Sequence, residues 1–411
     1  MSKRFLIILT ILVLLLAVVG GLIFWFKWMA PAPTDPEEAP LGDLSGFPVS
    51  DPLTNPEPIS TPDPSDPTTS PLPPGEDPTP TNPELLGLLT KLSPTSVAGA
   101  TLLSGAVIYL EKGTGNLYRT TDGRDNQKLT ENTLPEVSKV WWGKSKDKLH
   151  LIAQYLNPQK AVTTFRGTYS LKTATTSAPI DLVGGEIPNV SALGVALPPN
   201  QDQQISLLET PDGVSGVVTE FATGKVRTLF SSHFKNWSIA WPAPTVITLS
   251  PRAAAGSPSP LYFLNPNTST LTRVLADQLG LTSLVNPTGT KLVYSRGLSD
   301  LRLYSVKDSA TTLLTIATLP EKCVWASDAV TLYCAVPASP LSSQYPDTWW
   351  SGEVSFNDSF WQINTETGDA KIILASQTPA LDGINLLLDE ARGRLIFTDK
   401  LSGQLWALDL Q

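Results

Sequence analysis

Cysteine and histidine are almost missing from this 411-residue chain: two of each, Cys323, Cys334, His150 and His233. Two sulfurs and two imidazoles at these spacings do not make the four-ligand set of a structural zinc site, so no metal is expected. H-E-x-x-H and G-x-S-x-G are absent as well, which removes the zinc-hydrolase helix and the nucleophile elbow. No cofactor motif is present. No cysteine stands directly after the N-terminal apolar run, so a lipid-modified anchor is not expected. Basic residues are lacking between Lys27 and Lys91, where 11 acidic residues occur.

Residues 5–26, FLIILTILVLLLAVVGGLIFWF, carry no charge. At about 1.5 Å per residue they reach roughly 30 Å as a helix, the thickness of a bilayer core. Lys3 and Arg4 precede the run and acidic sequence follows it, so the tip at 1–4 is expected to stay in the cytoplasm. The expectation is a single-pass cell-membrane protein with a transmembrane helix at 5–28 and an extracytoplasmic remainder. A cleaved signal peptide is the competing reading, although its apolar core is usually about 7–15 residues.

Residues 31–83 hold 17 of the 37 prolines. Such a segment cannot bury enough apolar surface to fold. Extended polyproline conformers, at about 3.1 Å per residue, make it a stalk of up to roughly 150 Å. The net charge of −9 belongs to this stalk, and the remaining globular part, 84–411, is near −2. A near-neutral domain lacks the basic surface that nucleic acids require, so no nucleic-acid partner is expected.

Beyond about residue 97 the text is short apolar runs cut by Gly, Pro, Asn and Asp. Only 83–92, PELLGLLTKL, could be a short helix, or else an opening strand. An aromatic, a spacer and an aliphatic recur in Tyr118-Arg119-Thr120, Tyr169-Ser170-Leu171, Tyr262-Phe263-Leu264, Tyr304-Ser305-Val306, Trp361-Gln362-Ile363 and Trp406-Ala407-Leu408. A weaker copy is Thr219-Glu220-Phe221, and the seven copies lie 51, 50, 43, 42, 57 and 45 residues apart. A period in the forties with strand-like alternation predicts a β-propeller, all-β and seven-bladed, with six blades as the runner-up. Each unit reads as four strands, the second strongly apolar and the aromatic copy third. The chain stops in the third strand of the last unit. The missing outer strand is therefore expected from residues 85–102, closing the ring and its open edges.

Asn286-Pro287-Thr288-Gly289-Thr290-Lys291-Leu292-Val293-Tyr294 resembles the S-P-D-G-x-x-L-x-[FY] turn of TolB-like propeller repeats, which are similar to WD repeats. Fainter copies are Ser145-Lys146-Asp147-Lys148-Leu149 and Asp389-Glu390-Ala391-Arg392-Gly393-Arg394-Leu395-Ile396-Phe397. The resemblance covers roughly 97–411 and implies the fold; members of that family are binding scaffolds or carriers of a separate enzymatic domain. Thr121-Asp122-Gly123 resembles the Asp-box turn of sialidase-like propellers but lacks its closing tryptophan, and Asp-Gly suits a turn for backbone reasons alone.

Cys323 and Cys334 flank VWASDAVTLY, a strand-turn-strand sequence. Neighbouring antiparallel strands can meet disulfide geometry, and an extracytoplasmic compartment permits oxidation; two separately buried thiols are the alternative. Trp141, Trp142, Trp237, Trp241 and Trp325 fall on first strands, where large rings would fill the wedges between blades or, alternatively, stack on a ligand in the tunnel.

The sixth unit is the longest, and its excess is the connection between second and third strands, 337–359. Long connections inside compact repeats are disproportionately functional. Tyr345, Asp347, Trp349, Trp350, Asn357 and Asp358 on it are the candidate ligand-binding residues, because adjacent tryptophans suit sugar stacking or a protein anchor. The alternative is that both rings fold back over the tunnel mouth. The run 346–361 resembles one in single-span, membrane-anchored propeller proteins of small-genome bacteria, a resemblance that implies no activity. The expected function is a binding or scaffold module for an envelope or cell-surface protein or glycan. An enzyme acting on glycans or peptides at the upper face, and a structural spacer, are the alternatives.

Overall fold

The computed structural model describes residues 88–410 apart from 132, 146, 172–178, 180–181, 200–201, 297–299 and 340–345. The apolar run at 5–28, the proline-rich 31–83 and Tyr345 lie outside the described residues. Among the described residues no helix is long and apolar enough to cross a membrane.

Seven antiparallel four-stranded sheets follow one another along the chain. Blades 1 to 6 occupy 97–128, 139–187, 190–232, 237–279, 281–313 and 323–374. Blade 7 takes its first three strands from Gly383–Asp389, Arg394–Asp399 and Leu405–Asp409, and its fourth from Leu89–Lys91. Leu89, Thr90 and Lys91 pair with Leu408, Ala407 and Trp406. The opening segment is thus a strand, and it closes the ring. Each of the seven aromatic copies lies on the third strand of its blade.

The burial pattern follows from the position of each strand in a blade. Second strands are packed on both faces by neighbouring blades, so they read as continuous apolar runs: Ala106–Glu111 is buried at every position but its last. Fourth strands form the rim, and Ala310–Leu313 is exposed throughout. The core is a set of wedges between blades. Val293 and Leu301 of blade 5 pack with Trp325, Leu332 and Cys334 of blade 6. Phe360 of blade 6 packs with Leu395, Phe397 and Leu408 of blade 7, and Leu89 joins them. Trp241 and Trp325 are buried in such wedges, with Trp142 and Trp237 packed against their own. The Trp325 indole N–H donates to the Leu284 carbonyl at 3.3 Å and ties blade 6 to blade 5.

The 286–294 turn works through its first residue. The Asn286 Oδ1 accepts from the amides of Thr290 and Lys291 at 3.0 and 3.1 Å, and its Nδ2 reaches the Ala329 carbonyl in blade 6 at 3.3 Å. Gly289, at φ +74°, supplies the left-handed residue. Blade 6 has the same turn at 326–331, where Asp328 accepts from the Val330 and Thr331 amides at 2.8 Å each and Ala329 takes the left-handed place. At the Asp-box-like turn, Gly123 has φ +82°, and a Cβ there would lie 2.0 Å from the Lys91 carbonyl oxygen. That glycine lets blade 1 approach the closing strand, a structural duty.

Cys323 and Cys334 are direct cross-strand partners on the first two strands of blade 6, and a disulfide joins them.

Candidate functional site

First strands begin, and second strands end, at one end of the ring. A cavity of about 870 Å3 opens there, walled by residues of blades 2, 4, 5, 6 and 7. Small hydroxyl side chains make up a third of the wall: Ser238, Thr248 and Ser250 of blade 4, Thr282 and Ser283 of blade 5, and Ser138 before blade 2. First strands can come this close to the axis because their inward residues are small.

The long connection of blade 6 runs across this mouth. A helical turn on it, Asp347–Trp350, is held from three directions. The Asp347 Oδ2 accepts from the Ala255 amide of blade 4 at 3.0 Å. The Trp349 Nε1 donates to Asp382 Oδ2 at 2.8 Å, and the Trp350 Nε1 donates to Glu321 Oε2 at 2.8 Å. Phe356 and Leu319 pack on Trp349. Both tryptophans line the cavity, but only Trp350 keeps a half-buried ring there; Trp349 is 4% exposed. The adjacent rings are therefore not a pair of free stacking platforms. The connection is long enough to reach back over the mouth, and there Trp349 gains apolar neighbours and a carboxylate for its N–H.

Beneath Trp349 lies a charged cluster with no exposed member. Lys322, Asp358 and Asp382 are each 0% exposed, with the ammonium 2.8 Å from Asp358 Oδ2 and 2.5 Å from Asp382 Oδ1. The Lys322 Nζ also sits 4.9 Å from the Trp349 ring centroid and 5.7 Å from that of Phe356. Backbone amides complete the cluster: Gly383 donates to Asp358 Oδ2 at 2.7 Å, and Phe356 to Asp382 Oδ2 at 3.1 Å. Asp358 is thus a buried structural carboxylate in contact with no solvent. Asn357 is likewise engaged, exchanging hydrogen bonds with the backbone of Gln377 at 2.7 and 3.2 Å.

Burial pushes the Asp358 carboxyl up to about 6; Lys322 pulls it down and Asp382 pushes it further up. A carboxyl raised by folding is protonated more readily in the native than in the unfolded chain. Its contribution to stability is full below about pH 4, the unfolded value, and is lost as pH rises through 6. Urea melts at pH 4 and pH 7 should show an Asp358→Asn variant losing a pH-dependent difference on the order of 2–3 kcal/mol. Superimposable pH profiles for the two proteins would contradict this assignment.

Charges gather at the mouth from separate blades. Lys139 opens the first strand of blade 2, while Arg252 and Lys400 lie on second-to-third connections of blades 4 and 7. Glu321, just before blade 6, is the single carboxylate of the lining. Lys139 and Glu321 are both exposed to the water of this cavity. Desolvation pushes the Lys139 ammonium down, with Glu321 opposing and Arg252 reinforcing. Desolvation pushes the Glu321 carboxyl up, against the Trp350 hydrogen bond and the nearby Lys139 and Arg252 charges. Lys400 is also lowered by burial, partly offset by Asp382 and furthered by Lys322.

None of these four charged residues was picked out from sequence, because none belongs to a motif. Their one shared sign is position: a charged side chain at the start of a first strand or just past the end of a second strand. Among the described residues no group of three or more His, Cys, Asp or Glu is arranged to hold a metal ion.

No protein-family model matches the chain, and no curated protein sequence matches it. Solved structures do. An oligogalacturonate lyase in complex with manganese aligns with a TM-score of 0.52 at 12% identity, over 79% of this chain and 93% of that one. U3-55K aligns with a TM-score of 0.51 at 11% identity, over 79% and 99%. TolB from Acinetobacter baumannii aligns with a TM-score of 0.42 at 9% identity, over 65% and 61%. Identities this low speak for the fold alone. The chain is an all-β, seven-bladed propeller, and its solved structural neighbours include TolB and oligogalacturonate lyase propellers.

Proposed function

We propose that this chain is a membrane-tethered recognition module whose propeller holds an envelope or cell-surface ligand at its tunnel mouth. The observation that carries the reading is the blade 6 connection, which crosses the mouth and presents the Trp350 ring to the 870 Å3 cavity. A concave site of this size, with convergent polar groups and one flat aromatic face, is the usual form of a ligand pocket. The apolar run at 5–28 and the acidic, proline-rich 31–83 support a tether and a stalk that would hold the disc away from the bilayer.

The full chain in detergent micelles, presented to a glycan array and to envelope fragments, tests the reading. Trp350→Ala should weaken capture by about 30-fold, the cost of a central aromatic anchor. Its melting temperature should stay close to wild type, since Trp350 is half-buried and outside the blade wedges. An unchanged set and strength of captured molecules would remove the tunnel mouth as the recognition site.

One observation favours a second reading, an enzyme acting on glycans or peptides at the same face. Glu321 and Lys139 are displaced from their ordinary values in opposite directions within one cavity, and such groups cluster at catalytic sites. On that reading Glu321→Gln abolishes product release from a captured ligand while leaving capture intact.

A further inference from the structure

Three cations converge on the tunnel cavity, whose wall carries a single carboxylate, Glu321. Lys139, Arg252 and Lys400 come from three different blades, and none forms an ion pair or a side-chain hydrogen bond with another described residue. Lys139 lies 5.1 Å from the Trp141 ring centroid, and Lys400 lies 5.1 Å from that of Trp349. The one carboxylate of the wall, Glu321, has an oxygen committed to the Trp350 indole. The globular part is near −2 overall, so this local excess does not follow from its composition. Like charges gathered in a walled cleft repel one another, and the same walls focus their field on whatever enters.

The remainder of the wall narrows the ligand further. Hydroxyls of the half-buried Ser238, Ser250 and Ser283 both donate and accept, which suits a ligand rich in hydroxyls. Trp350 offers an aromatic face beside them. We propose that the cavity takes an acidic saccharide. Its acid group is held among Lys139, Arg252 and Lys400, its hydroxyls lie against these serines, and one ring face lies against Trp350. The inference rests on the recognition reading above and adds the charge and class of the ligand.

Titration calorimetry on the full chain in detergent micelles tests it. The probes are uronate- and sulfate-bearing tetrasaccharides, their neutral counterparts with the acid group reduced or removed, and a phosphoserine peptide. At least one acidic tetrasaccharide should bind, and neutralising it should weaken binding at least about tenfold, as should Arg252→Gln or Lys400→Gln. Binding should weaken further as salt rises from ~50 to ~500 mM, where screening shortens the reach of the cations. Lys225→Gln, in a turn at the opposite end of blade 3, should leave affinity unchanged. Equal affinity for acidic and neutral partners, still dependent on Trp350, would overturn the charge inference while leaving the recognition reading intact. Binding of the phosphopeptide with no saccharide bound would overturn the saccharide class. Failure of every probe, together with an empty glycan array and no envelope capture, would overturn both readings.

Discussion

Replacing Lys322 with methionine is expected to destabilise the protein by about 3–5 kcal/mol at pH 7, the range for removing one partner of a buried ion pair. The side chain is 0% exposed, and its ammonium is the counter-charge for both Asp358 and Asp382. Methionine fills similar space but leaves two carboxylates facing each other in the interior. One of them must take up a proton or draw in water. The Trp349 indole, which donates to Asp382 and lies beside the ammonium, should loosen with them. Urea melts followed by tryptophan emission give the loss directly. The penalty should shrink at pH 5, where protonation of Asp358 removes one of the unpaired charges. A variant that also carries Asp358→Asn and Asp382→Asn should recover part of the stability, because replacing a buried ionic set entire is far milder than breaking it. A loss below about 1 kcal/mol for the single variant would mean that water already reaches the cluster.

Removing the closing strand is the second large effect. A chain beginning at residue 93 lacks Leu89, packed in the blade 6–7 wedge, and Leu92, packed in the blade 7–1 wedge. At about 1.5–3 kcal/mol for each buried leucine, the apolar loss alone is roughly 3–6 kcal/mol. It also strips the third strand of blade 7, Leu405–Asp409, of its outer partner and leaves a bare sheet edge. Such edges pair with other chains. The shortened protein should therefore melt lower and form concentration-dependent oligomers, seen by light scattering. A chain beginning at residue 84 should show neither change. Equal melting and a monodisperse shortened protein would show that the ring holds without its clasp.

The repeat was legible because propeller blades impose the same demand seven times. Each third strand packs large apolar side chains into the wedges, with the aromatic buried at Tyr169 and Tyr304 and half-buried at Tyr118, Tyr262, Trp361 and Trp406, so these residues marked the blades. Even the weak copy at Thr219 proved a true third strand, Gly213–Glu220. The closing strand followed from counting, since a sheet of three strands at the end of the chain leaves an edge to be covered. The connection at 337–359 stood out by length alone.

The candidate site was far less visible. Length singled out Trp349 and Trp350, but their different fates depended on partners that lie 29 to 33 residues away, Glu321 and Asp382. Asp358 read as a loop carboxylate and is instead a buried partner of Lys322. Lys139, Arg252 and Lys400 are separated by more than a hundred residues at each step, with nothing local to join them.

By itself, then, the sequence determined the number of blades, the order of strands within each, and the means of closure, because these follow from local periodicity repeated along the chain. It also carried the expectation of a tether and a stalk, which depend on composition alone. Only the tertiary structure decided which side chains meet at the axis. A propeller brings the same end of every blade to one point, so its tunnel mouth is assembled from single residues spaced a blade or more apart. Contacts of that kind leave no periodic trace in the text, since each needs only one residue, in one blade, to be right.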